Sequence, residues 1–158
     1  MKKILISSLV SLLIISCSSQ AQQGIHNVSN SPSQIFNGII AGSSMSGVTK
    51  TGVDLSEDTS NTDPLLIIVT DGQNKGCFVS SQMRLDVNSN RIGGTLQSMS
   101  CVLKNQSVVD KRVHGYVVDN DGKAGVIATV GHNKSGKKFF SINAGTKLTI
   151  VFTDAVTN

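Results

Sequence analysis

The chain has 158 residues, three cysteines, one tyrosine, no tryptophan and a formal net charge of +4. That length suits one domain with a modest core, and so few aromatic rings leave no platform for stacking sugars or single-stranded nucleic acid. The positive balance does not point to nucleic acid either: it rests largely on Lys2, Lys3 and a cluster at Lys134, Lys137 and Lys138 that has no interleaved aromatics.

Lys2 and Lys3 open the chain, and Ile4 to Ile15 is apolar apart from serines. Twelve such residues span about 18 Å as a helix, short of the ~30 Å hydrocarbon core of a bilayer. The order charge, short apolar run, then Ile14-Ile15-Ser16-Cys17 reads as a bacterial lipoprotein signal over 1–16, with a lipid on Cys17 and an extracytoplasmic domain beyond it. Ser18, in place of Asp, directs sorting to the outer membrane by analogy with Gram-negative lipoproteins, so the expected location is its periplasmic face. The same stretch also fits an ordinary signal peptide cut after Ala21. Residues 17–34 are mostly Ser, Gln and Asn and read as a flexible tether, with ends roughly 20–25 Å apart as a random coil.

Lipidation of Cys17 leaves Cys77 and Cys101 as one pair in an oxidising compartment, and a disulfide is expected between them. Three scattered histidines, His26, His114 and His132, do not complete a zinc set with those cysteines at any recognised spacing.

From residue 35 to 158 the pattern is strand after strand. Phe36 to Ala41 and Met45 to Val53 are short segments punctuated by glycine, and Asp54 to Asp63 is a polar loop ended by Pro64. Leu65 to Thr70, LLIIVT, reads as a strand buried on both faces. Cys77 to Val79 is a short strand, Asn88 to Arg91 a polar connection, and Gly94 to Leu103 a longer strand. Val108 to Val118 reads as one strand entering the turn Asp119-Asn120-Asp121-Gly122, from which Ala124 to Val130 returns. Ser135-Gly136 marks another turn, and Lys147 to Thr153 alternates and closes the domain. The expected fold is all-β: one small barrel or sandwich of short antiparallel strands.

The chain carries none of the GxSxG, HExxH, Walker or GxGxxG patterns, and no Ser-His-Asp or Cys-His set can be assigned from spacing. Asp119 and Asp121 lack the remaining ligands of a calcium loop, and a hairpin turn accounts for them. The expectation is a protein that is not an enzyme and takes no cofactor or metal.

Three stretches, in order, resemble the C-terminal domain of the TraB/TrbI family of conjugation and type IV secretion proteins, on the TraB side. The first, IIAGSSMSGVTKTGVD at 39–54, is similar to the family's I-x-x-G-S opening segment, with PLLIIVTDG following it. The second pairs CFV at 77–79 with SMSCV at 98–102, with Asp86, Ser89 and Arg91 between them like the family's DLSSER connection. The third, GYVVDNDGKAGV at 115–126, is close to the family's GYVxxxDGKxGL, and GTKLTIVFTDAV also has a counterpart. The resemblance covers residues 39–155. It implies a structural part of the outer-membrane or periplasmic core of a secretion or conjugation system, with other core subunits and copies of itself in a ring as partners. It departs from the family in having a lipoprotein-like signal where members carry a cytoplasmic tail, an inner-membrane helix and a Pro-rich linker. It also leaves no room between Val130 and Lys147 for the apolar helical hairpin that members send through the outer membrane. Surface binding of a ligand or protein by a stand-alone lipoprotein is the alternative reading, and a secreted hydrolase built on a β-scaffold is a third.

Overall fold

A computed structural model describes residues 36–57 and 61–157. Among them there is no helix. The strands in chain order are β1 (Ser44–Thr49), β2 (Val53–Ser56), β3 (Asp63–Val69), β4 (Phe78–Asp86), β5 (Arg91–Val102), β6 (Val108–Arg112), β7 (Gly115–Val118), β8 (Val126–Ile127), β9 (Thr129–His132), β10 (Lys138–Ile142) and β11 (Lys147–Phe152). The fold is all-β and antiparallel, as the turn spacing predicts.

Six strands close on themselves in the order β4-β3-β1-β11-β7-β5, with β5 returning to β4 to complete a barrel. Closure removes sheet edges by pairing them, so the six wall strands are not the open edges that a ring of edge-paired subunits would use. β6 extends the sheet beyond β5, β8 adds a short pairing on β5, and β2-β10-β9 form a separate three-stranded sheet.

The core is read directly from alternation. Leu148, Ile150 and Phe152 of β11 point inward, as do Leu65, Ile67 and Val69 of β3. β3 is therefore not buried on both faces as its apolar run predicts: Leu66 is 37% exposed, because the other face of a barrel wall meets solvent. On β5 the inward set changes parity, from Ile92, Gly94 and Leu96 to Met99 and Cys101. The register with β4 passes from Ser80↔Ser98 to Ser81↔Leu96, leaving Gln97 as the extra residue of a β-bulge. A bulge turns a strand and shifts its facing by one residue, and this one lets twelve residues serve both the barrel wall and the β6 hairpin.

The run Val108 to Val118 is two strands. It breaks at Val113 and His114, where the Val113 amide bonds Gln97 O at 3.2 Å and His114 O accepts from the Thr153 amide at 3.0 Å. Gly115 then takes φ +151°, where a Cβ would lie 1.9 Å from Val151 O. Only glycine fits there, and the bend moves the chain from β5 to β11. Two further departures lie in the small sheet. Val53–Ser56, expected as the start of a loop after Val53, pairs with β10, and β10 itself carries no signal stronger than its turn. On β9, Gly131 sits beneath the Phe139 ring of its cross-strand partner, with 2.2 Å between a built Cβ and Cζ.

Two polar contacts fix the start of the described chain. Asn74 is buried, and its side chain pairs with the backbone of Asn37 in both directions, accepting from the amide at 3.0 Å and donating to the carbonyl at 2.9 Å. Ile39 and Val156 exchange backbone hydrogen bonds of 2.8 and 2.9 Å.

Candidate functional site

The barrel closes at its weakest point between β5 and β7, which share the single pair Thr95↔Tyr116. The gap beside that pair is filled by the hairpin at 119–126. Gly125 N bonds Val117 O at 2.9 Å, Val118 bridges Ala124 and Gly125, and β8 pairs with Arg91 and Ile92. The hairpin forms locally because Asp119 accepts from the Asn120 amide at 2.7 Å, Asp121 accepts from the Lys123 amide at 3.0 Å, and Gly122 supplies φ +77°.

Arg91 locks this hairpin to the wall. Its Nη1 donates to Gly125 O at 2.9 Å and lies 4.0 Å from Asp119 Oδ2, while Nη2 donates to the Asp121 carboxylate. The guanidinium is mostly buried, with 11% of the side chain exposed, so its fork is held in a fixed geometry. The remaining Asp119 capacity accepts the Ile127 amide at 2.9 Å. Hydrogen bonding from the Lys123 amide, with further help from Arg91, holds the Asp121 carboxyl below its ordinary range. Asp86 is lowered in the same direction, chiefly by the Ser89 hydroxyl at 2.6 Å and then by the Asn88 amide, and these bonds shape the β4–β5 turn. The second and third stretches singled out in the sequence therefore meet through Arg91.

Outside this seam lies an open groove of about 480 Å³, with Arg84 and Asp86 on one wall, Tyr116 and Gly125 on the other, and Gly93 and Thr95 between them. Tyr116 is 42% exposed, so its ring and hydroxyl, with the Arg84 guanidinium, offer stacking and hydrogen bonding to a contact partner. The groove holds no cysteine or serine beside a histidine.

Cys77 and Cys101 meet in a disulfide, with Cα atoms 4.4 Å apart and both residues fully buried. The register explains the match: Phe78 faces Ser100, so the next pair outward is Cys77 and Cys101. Cys17, the signal at 1–16, the tether at 17–34 and His26 lie outside the described residues. His114 sits at the β6–β7 break and His132 ends β9 in the other sheet, so the topology does not bring them together. Among the described residues no group of three His, Cys, Asp or Glu side chains could hold a metal ion, and Asp119 and Asp121 are engaged by Arg91 and backbone amides. The role of Arg91 had no local signal: its partners lie 28 to 34 residues later, and only the barrel closure joins them. The chain matches no protein-family model and no curated protein.

Proposed function

We propose that this chain is a non-catalytic structural subunit of the outer-membrane or periplasmic core of a type IV secretion or conjugative transfer system, a reduced TraB-like domain. It is held to the periplasmic face of the outer membrane by a lipid on Cys17, and its partners are other core subunits and copies of itself in a ring. The observation that supports this most is the convergence of the resembling stretches. Arg91 of the second stretch bonds Asp121 of the third, and β11 pairs with β1 of the first on one side and β7 of the third on the other. Segments far apart in sequence thus form one wall, as parts of a single ancestral barrel would. A cross-linked barrel gives a rigid unit, and a lipid anchor raises its local concentration for assembly.

Deletion of the gene should abolish DNA or effector transfer in a conjugation assay, with transfer restored by the wild-type copy. Cys17→Ala should remove lipid labelling. Unchanged transfer after deletion overturns the scaffold reading; unchanged labelling moves the anchor elsewhere. The groove beside Tyr116 favours one alternative, a stand-alone surface lipoprotein that binds a ligand or protein there. On that reading deletion leaves transfer intact, and Tyr116→Ala removes binding.

A further inference from the structure

The β5–β6 hairpin ends in apolar surface that the domain leaves uncovered. Val102 and Val108 face each other as the ladder pair nearest the turn, 48% and 62% exposed, while the neighbouring Val109 packs against the core on the other face. This tip lies beyond the last β4–β5 pair, Phe78↔Ser100. Single exposed valines are ordinary on a protein surface, but a facing pair at a projecting tip makes one patch. The turn is preformed. The Leu103 amide donates to Ser107 O at 2.8 Å, and the Asn105 carboxamide oxygen accepts from the Ser107 amide and hydroxyl at 3.1 and 2.6 Å. With the disulfide fastening its base at Cys101, the tip loses little freedom on docking.

The charge around the tip has one sign. From Val87 to Val109 the sequence has no Asp or Glu, and the turn carries the exposed Lys104. Asp110, the first acid after it, accepts from the Ser100 hydroxyl at 2.7 Å, and the exposed Arg112 follows on the same face as the two valines. Among the described residues the ion pairs are those of Arg91, so Lys104 and Arg112 are in none. The chain also enters the fold beside this hairpin. Lys111 of β6 holds its ammonium 5.8 Å from the centroid of the Phe36 ring. Asn37 is bonded to Asn74, whose carbonyl accepts from the amide of the disulfide residue Cys77 at 3.1 Å. Cys17 lies 19 residues before Phe36 in sequence, a length whose random-coil reach is roughly 25 Å. From Lys111 to Val108 is about 10 Å along the strand. A lipid on Cys17 therefore brings a bilayer within reach of the tip.

We infer that the tip of the β5–β6 hairpin rests in the headgroup layer of the bilayer that holds the anchor, with Val102 and Val108 toward the acyl boundary and Lys104 and Arg112 at anionic lipid phosphates. The inference rests on the lipidation of Cys17 in the proposed function and adds a second membrane contact to it. The occupant is lipid for two reasons. The tip offers aliphatic surface and cationic donors with no free carboxylate, and the end of the fold that leads back to Cys17 lies beside it. Buried apolar area and attraction to anionic lipid add at such a surface, and the attraction weakens as salt rises. Tether and tip together fix which end of the barrel faces the membrane.

The test uses the full lipidated chain reconstituted in vesicles of phosphatidylethanolamine and phosphatidylglycerol. With Cys17 lipidated and Cys77 bonded to Cys101, Ser107→Cys supplies one free thiol for an environment-sensitive fluorophore, and Ser135→Cys places the same label on the β9–β10 turn. The label at position 107 should shift to the blue and be quenched by spin-labelled phospholipid, while the label at position 135 is not. Val102→Asp/Val108→Asp should abolish that quenching. Lys104→Gln should lower the ratio of docked to free tip about fivefold, the loss of one basic residue at an anionic surface. Replacing phosphatidylglycerol by phosphatidylcholine should act in the same direction. Cooperative circular dichroism melts establish that each variant is folded. Equal quenching at the two positions, or quenching at position 107 untouched by every substitution, overturns the contact. So does a blue shift that lipid quenchers do not reach, which means that protein covers the tip. The mass of the N-terminal peptide reports the lipid on Cys17 independently of the label. A lipidated chain with an unquenched tip therefore removes this contact alone and leaves the scaffold reading to the transfer assay.

Discussion

Arg91 stands at the start of β5 and serves three acceptors on one hairpin. Its importance comes from position: the β5–β7 junction has one ladder pair, so the guanidinium and the folded-back hairpin carry the closure there. One carboxyl of this junction, Asp121, and one of the neighbouring β4–β5 turn, Asp86, make the fold sensitive to acid in a defined direction. Asp121 and Asp86 both titrate below their ordinary value of 3.8 in the folded chain. A depressed folded pKa contributes stability above the unfolded value and loses it as pH falls through the folded one. The urea midpoint should therefore drop as pH is lowered from about 5 to about 2, and Asp121→Asn should flatten part of that drop. A variant whose acid profile superimposes on the wild type would show that the Asp121 carboxylate does not contribute to closure.

At the scale of elements, alternation was legible and direction changes were not. The inward residues of β11 and β3 follow from a period of two, and the turns at Asp119 to Gly122 and Ser135-Gly136 follow from their residue types. Three features escaped that reading for one reason: each is decided by which strand lies alongside. LLIIVT looks buried on both faces, yet Leu66 faces outward because β3 is part of a single-layer wall. The Gln97 bulge exists to satisfy the register with β4. The division between β6 and β7 depends on Gly115, one glycine among 15 in the sequence, distinguished only by Val151 O pressing on it. Gly115→Ala should cost on the order of 3 kcal/mol, since both the backbone conformation and the contact must yield. Gly122→Ala, with φ +77° but nothing within 4 Å of a Cβ, should cost about 1 kcal/mol. Equal melting temperatures for the two variants would contradict this account of the bend.

For the whole molecule, the cysteine pair was the most accurate guide. It ties the start of β4 to the end of β5 across 24 residues, beside the hairpin that leads into β6. Cys77→Ser or Cys101→Ser should lower stability by roughly 3–4 kcal/mol in non-reducing buffer, from the entropy returned to the unfolded chain. Two free thiols titrated in the native wild-type protein would remove the bond. The candidate site was only half visible in advance. Asp119, Asp121 and Arg91 were each singled out, but that they form one junction depends on the barrel closing, a property of the complete strand order. The small sheet has the same character: the polar run and the lysine cluster are plain in sequence, but that the register brings Glu57 alongside Lys138 is not.

Ile39 and Val156 sit side by side, so the path into the barrel and the path out of it leave through one doorway. A short linker could splice those two positions, and new ends opened at Ser135-Gly136 would then create a permuted chain with the same wall. A reporter fused after Val156 starts beside the strand partner Ile39 and crowds the entry to the barrel. One inserted at Ser135-Gly136 sits on the lysine-bearing hairpin, so the choice of tag position decides which side of the domain an experiment disturbs.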